Sequence, residues 1–218
     1  MNYLRLVNQI ILGFIFAILI SGCSKTYYSA MEKVGIHKRD IMVSRVEKAR
    51  DSQEEAQEQF KSALEQFDSV VSLKETDLKK AYDKLNAEYE DSKAAAEDVS
   101  MRIEKVEEVS EALFEEWEEE LELYENKELK RSSAAQLRRT KSRYRELLVN
   151  LHSAEDSMEP VLKIFRDNVL FLKHNLNAQA IGSLQGEFAQ LQGEIKVLVQ
   201  RMNVAIESSN SFIAEIKR

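Results

Sequence analysis

The sequence predicts an all-α protein, an elongated antiparallel bundle or coiled coil of about four long helices. Residues 36–159 contain neither glycine nor proline, and a sheet protein of this size would need turn residues over such a stretch. Strong helix formers, among them glutamate, lysine, alanine and leucine, fill it instead. Apolar residues also recur alternately three and four positions apart, as the a and d positions of a coiled coil do. Both observations predict long helices that pack against one another.

The first 22 residues predict a secretory signal peptide that is removed from the mature chain. The segment before Ile10 is short and has Arg5 as its one charge, and the uncharged run from Ile10 to Gly22 has the length of a signal-peptide apolar region. That run is too short for an ordinary membrane-spanning helix, which needs about 20 apolar residues. A retained single-pass anchor is the alternative interpretation.

The apolar run ends on Ile20, Ser21 and Gly22, and the next residue, Cys23, is the single cysteine of the chain. This arrangement resembles the lipobox of bacterial lipoprotein precursors, in which a signal peptidase cuts before a lipidated cysteine. The resemblance implies that the peptidase recognises these three residues and that Cys23 carries a covalent lipid. Acylation would also cap a lone thiol, which is a liability in an oxidising periplasm.

Residue 24 bears on the destination of the protein. An aspartate directly after the cysteine would resemble an inner-membrane retention signal, and this sequence has Ser24 at that position. We therefore expect a protein that is anchored by lipid in the outer membrane and faces the periplasm, with the periplasmic face of the inner membrane as the alternative. Residues 23–35 are predicted to form a lipidated tether, and residues 36–218 a single coiled-coil helical-bundle domain.

Three heptad seams supply the predicted core. They run from Tyr82 to Trp117, from Leu137 to Leu176 and from Leu184 to Ile216. An earlier segment, from Phe60 to Val71, joins the first seam only after an extra four-residue step, which is either a stutter or a helix break. A match to a capping box at residues 72–75 favours the break.

The other helix ends are predicted from local signals. A second capping-box match, at residues 133–136, predicts a turn near residue 132. Pro160 is expected to kink a helix without ending it, because the heptad register continues across it. The last turn is predicted at residues 177–182, with Gly182 in a left-handed conformation. The predicted helices span residues 36–71, 74–130, 134–178 and 183–217.

A chain reversal near residue 132 would place two oppositely charged stretches side by side. Seven glutamates lie between residues 115 and 125, and five arginine or lysine residues lie between residues 138 and 145. Each exposed pair contributes under about 1 kcal/mol. Their complementarity nevertheless favours a hairpin over a straight continuation.

Residues that could carry out chemistry are few. His37, His152 and His174 stand singly, without metal-ligand spacing. The glutamate-rich stretch at residues 111–128 lacks the glycine turn of a calcium loop and is better interpreted as a solvated helix face. Trp117 lies on a heptad seam, where a core role is expected. The sequence has no phosphate loop or nucleophile elbow, so we expect a non-enzymatic protein with no catalytic residue, cofactor, metal or small-molecule substrate.

The net charge argues against a nucleic-acid partner. Removal of residues 1–22 takes away Arg5 and no acidic residue, which leaves 30 basic and 38 acidic residues and a formal charge of −8. Nucleic-acid binding normally needs a basic face. The expected contacts are instead with the membrane through the lipid and with an envelope protein, and a homo-oligomer is possible because two copies could share an open seam.

The combination of the lipobox, a short tether and a helical domain resembles a family of proteobacterial outer-membrane lipoproteins with a coiled-coil domain, which is catalogued as a domain of unknown function. This resemblance implies an envelope lipoprotein and supplies no mechanism. We expect a structural or adaptor protein of the cell envelope that acts through coiled-coil contacts. The alternative is a periplasmic chaperone or regulatory binding module that holds client segments between its helices.

Overall fold

The computed structural model describes residues 28, 31, 35–72, 78–175 and 178–217, without the side chains of residues 178–181. None of these residues forms a β-strand, which confirms the predicted all-α class. Of the helices that they form, none is both long and apolar enough to cross a membrane. The helices are α1 (Lys38–Ser72), α2 (Leu78–Glu122), α3 (Lys127–Asp156), α4 (Met158–His174) and α5 (Ala178–Ile216).

The five helices form four antiparallel rods, because α3 and α4 follow one another along the same rod. Helix α1 packs between α2 and α5, and the rod of α3 and α4 also packs against α2 and α5 on the opposite side of the bundle. The Gln59 amide donates a hydrogen bond to Glu88 over 2.9 Å, which fixes the antiparallel register of α1 and α2. The Gln57 amide donates to Asn203 over 2.9 Å and fixes α1 against α5. The predicted helical bundle is confirmed.

The core follows the heptad seams. The predicted seams on α2 and α5 are buried, with Leu85, Val99, Leu191 and Leu198 fully excluded from solvent. On α1 the seam was predicted to start at Phe60, but in the structure it starts at Met42. Its nine members lie alternately four and three residues apart and are each at most 1% exposed: Met42, Val46, Ala49, Gln53, Ala56, Phe60, Ala63, Phe67 and Val70.

The predicted hairpin of α2 and α3 is confirmed, but its turn was misplaced. The Lys141 ammonium lies 2.6 Å from the Glu118 carboxylate, so the acidic and basic stretches do lie side by side. The turn, however, falls between Glu122 and Lys127. Asn126 caps α3 by accepting hydrogen bonds from the backbone N–H groups of residues 128 and 129, so the predicted turn near residue 132 lies inside α3.

The predicted continuous helix through Pro160 is interrupted by one residue. Helix α3 ends at Asp156 and α4 begins at Met158, while Ser157 keeps right-handed helical angles of φ −77° and ψ −11°. Proline has no N–H for the carbonyl of Asp156, and its ring crowds that carbonyl. The interruption therefore lies on the N-terminal side of the proline, and the Ser157 hydroxyl donates to the carbonyl of Ala154 over 2.6 Å.

The last turn was predicted a few residues too late. Helix α4 ends before Asn175, whose side-chain amide donates to the carbonyl of Phe171 over 2.9 Å. Helix α5 begins at Ala178, so Gly182 is helical and not left-handed as expected. Among the described residues the glycine with a positive φ is Gly35, at 84°, just before α1.

Part of the predicted tether packs against the bundle. Tyr28 is 3% exposed and belongs to the core, and Met31 packs against it. The backbone N–H of Ile36 donates to the carbonyl of Met31 over 3.0 Å. The packed part of the chain thus includes residues that the sequence analysis assigned to the tether at 23–35.

Candidate functional site: the projecting hairpin

The predicted lipidation site lies outside the described residues. This applies to Cys23 and to the predicted recognition residues Ile20, Ser21 and Gly22. The chain enters α1 through Gly35, a residue whose positive φ strongly favours glycine, and Tyr28 and Met31 before it already pack against the bundle.

The point of entry defines one end of the bundle, here called the entry end. The buried Lys38 ammonium pairs with Glu116 on α2 over 2.7 Å. The Arg39 guanidinium donates to the backbone carbonyl of Ile216, in the last turn of α5. The start of α1, residue 116 of α2 and the end of α5 therefore lie at the same level.

Helices α2 and α3 continue past the entry end. Helix α2 has 45 residues against 35 in α1, and six of them follow Glu116, which corresponds to about 9 Å of helix. On α3, Gln136 and Arg139 line a groove together with Arg39 and Ile216 at the entry end. Residues 117–136 consequently project beyond the four-helix section, and we call them the hairpin tip.

Local contacts hold the hairpin tip together. Leu121 is its one buried side chain, at 9% exposure. The Trp117 indole N–H donates to the Ser133 hydroxyl over 2.9 Å, and Lys130 pairs with Glu122 over the same distance. Trp117 was expected in the core, and it is partly buried against the core at the base of the tip. The two helices are thus joined here by one buried leucine, one indole hydrogen bond and the ion pairs of Glu122 with Lys130 and of Glu118 with Lys141.

The apex of the hairpin tip carries exposed apolar side chains. Leu123 is 79% exposed, Leu129 is 56% exposed and Tyr124 is 40% exposed. Six glutamates and three basic residues surround them in residues 117–136, which gives a formal charge of −3. Sequence reasoning missed this surface, although Leu123 and Leu129 lie off the heptad positions that continue from Trp117 and Leu137, and such offset leucines were an available signal.

His152 on α3 contacts two acidic side chains, one on its own helix and one on α2. Its Nδ1 lies 2.8 Å from Glu155 on its own helix, and its Nε2 lies 3.2 Å from Glu107 on α2. Partial burial lowers the pKa of His152, but hydrogen bonds to Glu155 and Glu107 and their negative charge outweigh it and raise the pKa above its ordinary value.

No metal site of three or more histidine, cysteine or acidic side chains occurs in the part of the chain that the structure describes.

Grooves between the rods are the other concave surfaces. The groove between α3 and α5 has a volume of about 550 Å³ and is lined by both charged and apolar side chains, among them Glu146, Val204 and Phe212. Arg143 and Glu215 line it as well and form an ion pair across it at 3.3 Å. An apolar client segment that entered this groove would have to separate or desolvate the pair, and both steps are unfavourable.

The fold and these surfaces define a class, an antiparallel four-rod helical bundle from which one hairpin projects. Residues 27–216 match the family described as "Protein of unknown function (DUF2959)", and the chain belongs to this family. Its matched region begins one residue before the buried Tyr28. No curated protein and no solved structure matches the chain.

Proposed function

We propose that this protein is a non-enzymatic lipoprotein of the cell envelope, anchored through Cys23 in the outer membrane and facing the periplasm, where its bundle serves as a structural or adaptor element. The anchor is supported by the apolar run from Ile10 to Gly22 that ends directly before the single cysteine. The start of the matched family region at residue 27 leaves a short connection between that cysteine and the packed bundle.

The observation that carries the structural role is the closed packing of the rods. Ser110 and Ser209 are completely buried on their seams, and each hydroxyl donates to a carbonyl of its own helix, Val106 over 2.5 Å and Ala205 over 2.8 Å. Small side chains with satisfied hydroxyls allow neighbouring helices to approach closely. Closed packing of this kind favours a rod over a bundle that opens to hold client segments.

The anchor is tested by metabolic labelling with a clickable palmitate analogue. The wild-type protein should be labelled and should fractionate with the outer membrane, whereas Cys23→Ala should be unlabelled. The substitution lies outside the matched family region, which begins at residue 27, so the sequence of the helical domain is unchanged. Equal labelling of the two proteins would overturn the lipoprotein assignment.

The structural role is tested against the chaperone alternative with purified Cys23→Ala protein, which lacks the lipid. A client-holding protein suppresses the aggregation of a reduced, unfolding test protein when the two are mixed in equal amounts. We expect light scattering from the test protein to be unchanged, because exposing the seams would require separation of the rods. Clear suppression of aggregation would favour the chaperone.

A further inference from the structure

We propose that the hairpin tip, residues 117–136, docks on the surface of the membrane that holds the lipid anchor and takes neutral phospholipid headgroups as its ligand. This inference rests on the proposed lipidation of Cys23. The tip would give the rod a second contact with the bilayer and would thereby fix its orientation.

The position of the anchor relative to the bundle is the first argument. The hydrogen bond from Ile36 to Met31 keeps residue 31 close to the entry end. Met31 follows Cys23 by eight positions, and even fully extended this segment spans less than about 30 Å. Helix α1 alone is about 52 Å long, from its 35 residues. The tether therefore cannot reach the far end of α1, and the end that it can bring to the bilayer is the entry end, from which the hairpin tip projects.

The chemistry of the apex is the second argument. Leu123, at 79%, is the most exposed of the large apolar side chains in the described part of the chain, and Leu129, in the first turn of α3, is 56% exposed. Tyr124 adds an apolar ring with a polar hydroxyl, a combination that is enriched at the interface between lipid and water. All three side chains belong to residues 123–129, the turn between α2 and α3 and the first turn of α3.

Charge selects the kind of lipid. The tip has six glutamates against Lys127, Lys130 and Arg131, so an anionic membrane surface would repel it. Neutral headgroups carry both a phosphate, which suits the basic side chains, and an ammonium group, which suits the glutamates. The tip is thus suited to a zwitterionic surface.

Weak insertion is sufficient because the anchor does most of the binding. A bundle whose entry end is tethered to the bilayer by less than about 30 Å of chain holds its tip at a high effective concentration there. The interaction would be undetectable for the unanchored bundle and populated for the anchored protein. This difference makes the lipidated protein the correct one to test.

The experiment places an environment-sensitive fluorophore on the tip of the mature lipoprotein in vesicles of phosphatidylethanolamine and phosphatidylcholine. Leu123→Cys supplies the free thiol, since lipidation blocks the thiol of Cys23. Leu170→Cys is the matched control, because Leu170 is also an exposed leucine, at 47%, but lies near the end of α4 on the opposite end of the bundle. We expect a blue shift of the emission at position 123 on adding vesicles and none at position 170.

Every outcome of this experiment has a defined consequence. Equal emission at both positions, in protein that floats with the vesicles, would overturn tip docking and leave the lipid anchor intact. Failure of the protein to float would overturn both. A blue shift already present without vesicles would assign the tip to contact with a second copy, and a larger shift on anionic than on neutral vesicles would contradict the choice of lipid.

A second variant separates the docking contact from the probe itself. With the fluorophore at Leu129→Cys, the additional change Leu123→Asp should abolish the vesicle-induced shift while flotation is retained. Leu123 is largely exposed, so this change should leave the fold intact. A shift that persists in the Asp variant would overturn the docking role of the apex.

Discussion

The four-helix section and the hairpin tip are built from the same two helices, yet they are stabilised differently. In the four-helix section α2 and α3 have partners on two sides, and residues such as Val106 and Leu147 are completely buried. In the tip only Leu121 is buried, and a partly buried tryptophan, hydrogen bonds and ion pairs supply further contacts. Helices α2 and α3 thus bury a continuous core only where α1 and α5 also pack against them.

Aromatic contacts also differ between the two ends of the four-helix section. Towards the far end of the bundle Phe67 of α1 lies 6.0 Å from Phe165 of α4 and 6.1 Å from Phe188 of α5, and Tyr89 of α2 lies 6.4 Å from Phe165. This cluster joins all four rods. Near the entry end the Phe114 ring pairs with one aromatic ring only among the described contacts, that of Tyr144 at 5.3 Å. Cooperative unfolding should therefore depend on the far cluster and not on the tip.

The largest expected effect comes from breaking the far cluster. Phe67→Ala should lower the free energy of unfolding by about 3–5 kcal/mol, because it removes a fully buried ring that contacts two other helices. Urea denaturation followed by circular dichroism measures the change. Leu123→Ala in the tip is the control and should change the free energy by less than about 0.5 kcal/mol. Similar losses for both variants would contradict the division into two sections.

A second effect, of opposite sign, is expected in the middle of the α1 seam. Gln53 is completely buried, and neither its amide nitrogen nor its oxygen has a hydrogen-bond partner among the described residues. Gln53→Met should raise the free energy of unfolding by about 1–3 kcal/mol, because it removes an unsatisfied polar group at similar volume.

Gln57 provides the matched control for that substitution. It lies one turn further along α1 and donates to Asn203, so Gln57→Met should lower the free energy of unfolding by about 1 kcal/mol. If Gln53→Met were destabilising as well, a bound water would have to satisfy Gln53. The pair of variants thereby distinguishes an unsatisfied amide from a hydrated one.

Gln53 also shows where prediction from the sequence stops. The heptad rule identified the seams on α2, α3, α4 and α5, because their a and d residues are mostly apolar. On α1 the seam was recognised only from Phe60, since Gln53 interrupts the apolar pattern and alanines fill much of the remainder. A glutamine becomes buried because its neighbours on both sides are buried, and periodicity alone does not contain that information.

Helix ends were predicted less well than helices. The reversal between α2 and α3 agrees with the charge complementarity, but the capping-box match at residues 133–136 predicted the start of α3 too late, since Asn126 caps that helix. In the folded protein the Ser133 hydroxyl accepts a hydrogen bond from Trp117 across the hairpin. Local sequence alone does not distinguish a helix start at Asn126 from one at Ser133, whereas a tertiary contact such as this one does. The hairpin tip could not be predicted for the same reason, because its length depends on where α1 begins and α5 ends.

The cap of α3 offers a local test on the tip side. Asn126→Ala removes the acceptor for the N–H groups of Glu128 and Leu129, which lie 2.9 and 3.2 Å from its side-chain oxygen, and should cost about 1 kcal/mol of helix stability. Because the tip opens separately, faster hydrogen exchange should be confined to the hairpin tip, with the free energy of global unfolding almost unchanged. Asn126→Asp retains the acceptor and is the control. Accelerated exchange throughout α3 would show that the tip and the bundle unfold together.

The smallest expected effect is a pH dependence at His152, which connects α3 to α2 within the four-helix section. The net effect of its surroundings raises its pKa in the folded protein, so its ion pairs with Glu155 and Glu107 stabilise the fold below the unfolded pKa of about 6.5. This contribution is lost as the pH rises through the folded pKa. The side chain is 43% exposed, so solvent screening keeps the effect small. Urea denaturation should show a stability difference between the wild type and His152→Gln that is larger at acidic than at alkaline pH, and Glu107→Gln should lower the His152 pKa measured by NMR titration. A difference that is constant with pH would mean that His152 contributes through packing alone.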